Sequence, residues 1–100
     1  MNILKEEQPT TITLGDGKEY TLPPINLNTL AEMEDNFDCG IDRIMELFAE
    51  RSATTMRKFL YILLKENHPK LTLKGVGQLV QINQVTEIME TITKFITDIT

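Results

Sequence analysis

The middle of the chain contains the apolar run Phe59-Leu60-Tyr61-Ile62-Leu63-Leu64, which constrains the fold more than any other feature. Ser52 is a favourable N-cap upstream and Pro69 stops a helix downstream, so we predict a helix from Ser52 to about Asn67. A surface helix has one apolar stripe, whereas a helix that is apolar on every side has to be enclosed. This helix is therefore predicted to be the central element of the fold, with the rest of the chain packed around it.

Two short alternating segments precede the helical part of the chain. Residues 10–14 and 19–22 alternate apolar with polar side chains and include several β-branched residues, which indicates half-buried strands. They flank Gly15-Asp16-Gly17, and Asp-Gly between such segments is typical of a hairpin with a type I′ turn. Pro23 and Pro24 lack the N–H group that a strand ladder needs, so the hairpin is predicted to end there.

Four more helices are predicted around the central one. Favourable residues mark where they begin: Asn28, Asp42, Thr72 and Asn83. Gly40 is a natural stop after the first of them. The last helix has the clearest period of about 3.6 residues, because seven apolar side chains fall on one face. These residues are Val85, Ile88, Met89, Ile92, Phe95, Ile96 and Ile99.

The stability of the last helix depends on what covers that apolar face, which we call the C-terminal stripe. Most residues from Val85 onward are β-branched, and such side chains lose χ1 freedom in a helix. An isolated helix of this length would be marginal in water even with better helix formers. Its stability therefore has to come from burial of the stripe, either in the core of its own domain or against a partner.

Together these elements predict an α+β fold that is mostly α. It consists of an N-terminal β-hairpin followed by four to five short helices packed around a central apolar helix. One hundred residues suit a single domain. We assign residues 10–100 to that domain, with the hairpin at 10–22 and the helical part at 28–100. Residues 1–9 are predicted to be a flexible arm.

Charge and hydropathy argue against several classes of function. The formal net charge is −5 at pH 7 and no long basic run occurs, so nucleic acid and anionic membranes are not expected partners. The apolar run at 59–64 is far shorter than the ~20 residues that span a bilayer. The first residues do not form a signal peptide, because charges follow a very short apolar run. A cytosolic protein is therefore expected.

No group of residues predicts catalysis, a metal site or a cofactor. His68 is the single histidine and lies in a predicted loop at the end of the central helix. The single cysteine, Cys39, excludes an intrachain disulfide and is more typical of a small apolar side chain than of a reactive thiol. Residues 35–46 match a calcium-binding EF-hand loop at three positions, but Phe37 and Cys39 stand where oxygen ligands are required. We expect no catalytic, metal-binding or cofactor-binding residue.

The order of these segments resembles the tail assembly chaperones of long-tailed bacteriophages and related gene-transfer particles. The resemblance lies in Leu27-Asn-Thr-Leu-Ala-Glu-Met-Glu34 after the hairpin, in Met56-Arg-Lys-Phe-Leu-Tyr-Ile-Leu-Leu64, and in His68-Pro-Lys-Leu-Thr-Leu73 followed by Val76-Gly77. It covers about residues 11 to 96. No single segment is specific, and the ordered set carries the likeness. Lys74-Gly75 departs from the acidic pair that the family places before the valine.

This resemblance implies a binding protein and not an enzyme. Such chaperones bind the long hydrophobic tape measure protein, keep it soluble in the host bacterial cytoplasm, help recruit tail tube subunits, and are absent from the finished particle. In many members a longer product of translational frameshifting adds an extension that binds the tail tube protein. This chain would correspond to the shorter product. Self-association is a further expectation, because such a chaperone coats a long partner.

A chaperone of this kind needs apolar surface that it can present and later release. We predict the C-terminal stripe as the main partner-binding surface and the first helix as a second one. The predicted contact residues are Ile88, Ile92, Phe95, Ile96 and Ile99 on the stripe, with Met33 and Phe37 on the first helix. A buried core face would show the same pattern, so both interpretations stay open at this point.

Three other functions compete with the chaperone. The chain would be a structural part of the particle, such as a minor tail protein or a head–tail connector, if purified particles contained it. It would be a small regulator or toxin–antitoxin partner if it bound duplex DNA with a steep salt dependence. It would be an enzyme if a pocket collected carboxylates with strongly shifted pKa values.

Overall fold

The computed structural model describes residues 11–24 and 26–97, and these form an N-terminal hairpin followed by five α-helices. The strands are β1 (Thr11–Thr13) and β2 (Glu19–Thr21), and the helices are α1 (Leu27–Phe37), α2 (Ile41–Glu50), α3 (Ser52–Leu64), α4 (Leu73–Leu79) and α5 (Val85–Thr97). A 3₁₀ turn, Ile82–Gln84, leads into α5. The predicted fold class, α+β and mostly α, is confirmed. The predicted arm at residues 1–9 lies outside the described residues.

Helix α3 is the central element, as predicted from its all-round apolar run. It packs against α1, α2 and α4, and of its apolar run only Tyr61 is half-buried, the other side chains being buried. The rings of Phe48 on α2 and Phe59 on α3 pack edge to face, with centroids 5.3 Å apart. Thr55 is the buried polar residue in this contact, and its hydroxyl donates to the carbonyl of Leu47 at 3.1 Å.

Two predicted boundaries of α3 are wrong. Arg51, not Ser52, is the N-cap, because α2 ends at Glu50 and a single residue separates the two helices. The Ser52 hydroxyl donates to the carbonyl of Phe48 and so closes the end of α2. At the other end α3 stops at Leu64 and not near Asn67. A turn leads from there to Pro69, and in it the His68 N–H donates to the Leu64 carbonyl at 2.8 Å.

The helix caps also correct the predicted starts of α1 and α5. Asn26 caps α1 through its side-chain oxygen, which accepts from the Thr29 N–H at 3.1 Å, whereas Asn28 lies inside the first turn. Asn83 lies within the 3₁₀ turn and does not cap α5, because the polar pair Gln81 and Gln84 caps that turn.

The remaining helix boundaries lie close to those predicted. Thr72 caps α4 as predicted, with its hydroxyl accepting from the Gly75 N–H at 2.9 Å. The left-handed residue that ends α1 is Asp38, with φ of 57°, so Gly40 is not the stop but the N-cap of α2. Asp residues tolerate this conformation better than most, because their short polar side chains bond locally. Asp42 lies in the first turn of α2.

The hairpin has a longer connection than the predicted type I′ turn. Thr13 pairs with Glu19, Leu14 N–H donates to the Lys18 carbonyl at 3.2 Å, and Gly17 N–H donates to the Leu14 carbonyl at 2.9 Å. Gly17 alone in this turn has positive φ, at 79°. A type I′ turn needs positive φ at both central residues, so this is a three-residue loop, in which a type I turn is followed by a left-handed glycine.

The hairpin is held against the ends of α3 and α4. Its inward side chains Ile12, Leu14, Tyr20 and Leu22 are part of the core. In the turn after α3, Asn67 Nδ2 donates to the Thr21 carbonyl at 3.1 Å. Gly15 N–H donates to the Leu79 carbonyl at the end of α4, and a Cβ on Gly15 would collide with that oxygen. The hairpin therefore contacts the helical layer through both its core side chains and its turn.

Asp16 ties the hairpin turn to its second strand. Its carboxylate accepts from the Tyr20 hydroxyl at 2.6 Å and from the Lys18 N–H at 3.0 Å. These two hydrogen bonds, with that of Tyr20 the larger, hold the pKa of the Asp16 carboxyl below its usual range. The ring of Tyr20 meets the His68 ring edge-on, with centroids 4.9 Å apart.

Replacing Tyr20 with Phe tests this interaction, because the ring is kept and only the hydroxyl is lost. A lowered folded pKa stabilises the protein above the ordinary value of 3.8, and the stabilisation is lost as the pH falls from there through the folded value. We expect Tyr20→Phe to have a lower free energy of unfolding than the wild type at pH 7, with the difference shrinking below pH 3.8. Urea denaturation of both proteins at pH 7 and again below pH 3.8 measures this difference in the free energy of unfolding.

Tyr61→Phe is the matched control, because no hydrogen bond of the Tyr61 hydroxyl occurs within residues 11–24 and 26–97. Its difference from the wild type should not change with pH over the same interval. A deficit of Tyr20→Phe that stays constant with pH would contradict the assigned role of Asp16.

Candidate partner-binding surface

Of the four predicted contact residues whose side chains the structure describes, three lie in the core. Ile88 and Ile92 on α5 are buried, Ile92 being 1% exposed, and Met33 on α1 is buried as well. Phe37 is half-buried at the end of α1, with the Lys58 Nζ 5.0 Å from its ring centroid. The first part of the C-terminal stripe is therefore covered by the chain itself, and Ile88, Ile92 and Met33 offer no exposed contact surface in this conformation.

The rest of the stripe is only partly described. Phe95 and Ile96 lie within α5, but their side chains are outside the described residues, as is the whole of Ile99. Val85 and Met89 are half-buried and pack against the core. A helix rich in β-branched residues needs tertiary contacts to form, and the packing of α5 against the core supplies them.

A different apolar surface is open. Of the large apolar side chains that the structure describes, Ile82 is the most exposed, at 90%, followed by Leu27 at 81% on α1. Ile82 stands in the 3₁₀ turn at the edge of a groove of about 320 Å³. The groove lies between α3, α4 and the start of α5. Its main lining residues are Ala53, Met56, Arg57, Val76, Val80 and Val85.

The groove lies beside α4 and the linker that follows it. Helix α4 has seven residues and ends at Leu79, and the extended backbone of the next residue, Val80, leads the chain toward the 3₁₀ turn. Buried Met56 and Val76 form the floor of the groove. Gly77 has no side chain, and the Cδ of Arg57 lies 3.0 Å from where a Gly77 Cβ would be. The Arg57 stem therefore crosses α4 at the place that the glycine leaves open.

Among the described residues, Arg57 is the one charged residue that lines this groove. It is exposed, and within the described residues its guanidinium makes no hydrogen bond and no ion pair. The ion pairs of the described chain lie elsewhere, namely Arg43 with Glu46 and Glu50 on α2, and Lys65 with Glu32 between α3 and α1. The groove thus combines an apolar floor with an unpaired cation at its side.

The residues weighed for catalysis or metal binding each make a structural contact in the described part of the chain. No cluster of three or more His, Cys, Asp or Glu able to hold a metal ion occurs in the part of the chain that is described. Cys39 is half-buried against the core. Glu46, the last position of the EF-hand match, is 3.1 Å from Arg43 on its own helix. His68 packs on Tyr20, and its buried Nε2 has no hydrogen-bond partner among the described residues.

Sequence reasoning missed Ile82, Arg57 and the groove between them. One signal was present, because Ile82 is flanked by the polar residues Gln81, Asn83 and Gln84. Arg57 gave no signal, since a single arginine on a helix is usually solvated surface.

No helix of the described residues is long and apolar enough to cross a membrane. Comparisons with protein-family profiles, with curated proteins and with solved structures give no match for this chain. Its function has therefore to be inferred from its own residues.

Substituting Asp at Ile82 and at Ile92 separates exposed from core apolar residues. Ile92→Asp puts a carboxylate into the core, and we expect the free energy of unfolding to fall by more than about 3 kcal/mol or the chain to unfold. Ile82→Asp should change it by less than about 0.5 kcal/mol, because the side chain is already in water. Circular dichroism during urea denaturation measures both. Equal stability losses would show that Ile82 is not a surface residue.

Proposed function

We propose that this chain is a tail assembly chaperone of the long-tailed bacteriophage type. In this role it binds the hydrophobic tape measure protein in the cytoplasm of the host bacterium, keeps it soluble while the tail tube assembles, and leaves before the particle is complete. The ordered resemblance of residues 11–96 to that family supports the proposal. The observation that carries it is the open apolar groove beside Ile82, which is 90% exposed.

The groove suits reversible binding of another polypeptide. A partner can contact Ile82 without any rearrangement of the chain, because this side chain is already exposed. The half-buried Val80 and Val85 add apolar area next to it. A groove of about 320 Å³ holds only a few side chains, so each copy binds weakly and releases quickly. Copies that also associate with one another along one long partner would still protect it, because linked binding sites act together. This is what a carrier that must later leave requires.

The groove replaces the buried part of the C-terminal stripe as the proposed contact surface. Ile88 and Ile92 stabilise the fold, and their burial lets α5 support Val85 at the side of the groove. Binding of the tail tube protein through a longer frameshifted form belongs to the same proposal.

Co-expression with a candidate tape measure protein from the same genome tests the proposal. The wild-type chain should keep the partner soluble and co-purify with it. Ile82→Asp should lower the co-purified amount about tenfold, the effect of losing roughly 1.4 kcal/mol of binding free energy. Pull-down followed by quantitative gel analysis measures it.

Leu27→Asp is the matched control, because Leu27 is 81% exposed on α1 and does not line the groove. It should retain the partner at the wild-type level. An insoluble partner in the presence of folded wild-type chain would contradict the proposed function. Recovery of the chain from purified particles would favour a structural tail or connector component in its place.

A further inference from the structure

We propose that the groove selects helical segments that carry an acidic residue among their apolar positions, and that Arg57 is the residue that reads this charge. The inference rests on the proposed function, because it specifies which part of a tape measure protein the chaperone would hold. It is built on the groove's lining, on the placement of Arg57, and on the absence of an internal partner for that cation among the described residues.

The lining favours a helix as the occupant. Apart from the linker residue Val80, the described residues that line the groove lie in α-helices or in the 3₁₀ turn. None of them belongs to a strand whose edge could pair with an extended peptide. An extended segment laid on this apolar floor would bury its own N–H and C=O groups without partners. A helix satisfies those groups internally and offers only side chains to Met56, Val76 and Val85. The occupant is therefore an amphipathic helix with its apolar face inward.

The charge of the groove sets the second requirement. Arg57 stands beside the apolar floor with no ion pair in residues 11–24 and 26–97. Its stem passes over Gly77, and this places the guanidinium at the side of the groove. A guanidinium partly shielded by an apolar occupant gains most from a carboxylate, which it can bind through two parallel hydrogen bonds. A lysine facing it would be repelled.

This preference is opposite to the one that net charge alone predicts. A chain of formal charge −5 attracts basic segments through its overall field. Only a local contact with Arg57 would make it prefer an acidic helix over a basic one. The sign of the preference therefore distinguishes docking in the groove from non-specific attraction.

Two synthetic amphipathic peptides provide the probe. They share one apolar face and differ at a single central position beside it, which is Glu in one and Lys in the other. We expect the full chain to bind the Glu peptide about tenfold more tightly, and Arg57→Glu to reverse the order. Fluorescence anisotropy with labelled peptides measures both dissociation constants. Lys70→Glu is the control, because it makes the same charge change in the loop after α3, outside the groove.

The outcomes separate this inference from the proposed function. The role of Arg57 would be overturned if the two peptides bound equally or if the chain preferred the Lys peptide. It would also be overturned if Lys70→Glu changed the preference as much as Arg57→Glu does. Either result would count even if the wild-type chain still co-purifies with a tape measure protein. A Glu preference that depends on Arg57 would support it, even if no tape measure protein is retained. A wild-type dimer that Ile82→Asp dissociates and the Glu peptide does not would overturn it, since a second copy would then occupy the groove.

Discussion

The enclosure of α3 is the constraint on which the rest of the structure depends. A helix that is apolar on all sides cannot stand in water, so α1, α2, α4 and the hairpin have to cover it. Each of these elements is short, and none has the length to be stable alone. Their inward side chains and α3 stabilise one another. The same requirement extends to α5, whose β-branched composition opposes helix formation until Ile88 and Ile92 are buried.

This dependence explains which parts of the fold could be predicted from the sequence. The alternating strands, the central apolar helix and the Thr72 cap are local patterns, and each has one physical solution. The start of α1 is different, because Asn26 and Asn28 are both good caps and only the packed position of the helix selects Asn26. Gly15-Asp16-Gly17 likewise accommodates a two-residue or a three-residue connection, and the contact of Gly15 with Leu79 on α4 is not visible in the sequence.

The candidate partner-binding surface was harder to predict than the fold, for a related reason. A period of about 3.6 residues identifies the apolar face of α5 but not what covers it. The groove brings together residues from three separate segments, around Met56, Val76 and Val85, and only the tertiary structure makes them neighbours. Ile82 was missed as well, although its polar neighbours Gln81, Asn83 and Gln84 are visible in the sequence.

The groove and the core are not independent, because Met56 and Val76 belong to both. Helix α4 is the shortest of the helices that cover α3, with seven residues of which two are glycines. A helix bound across α3, α4 and the start of α5 contacts all three only when they are in place, so it binds the folded chain and not the unfolded one. By mass action such an occupant stabilises the α4–α5 junction. The element that makes the groove open is therefore also the one that a bound partner would stabilise most, which couples partner binding to the completion of the core around α3.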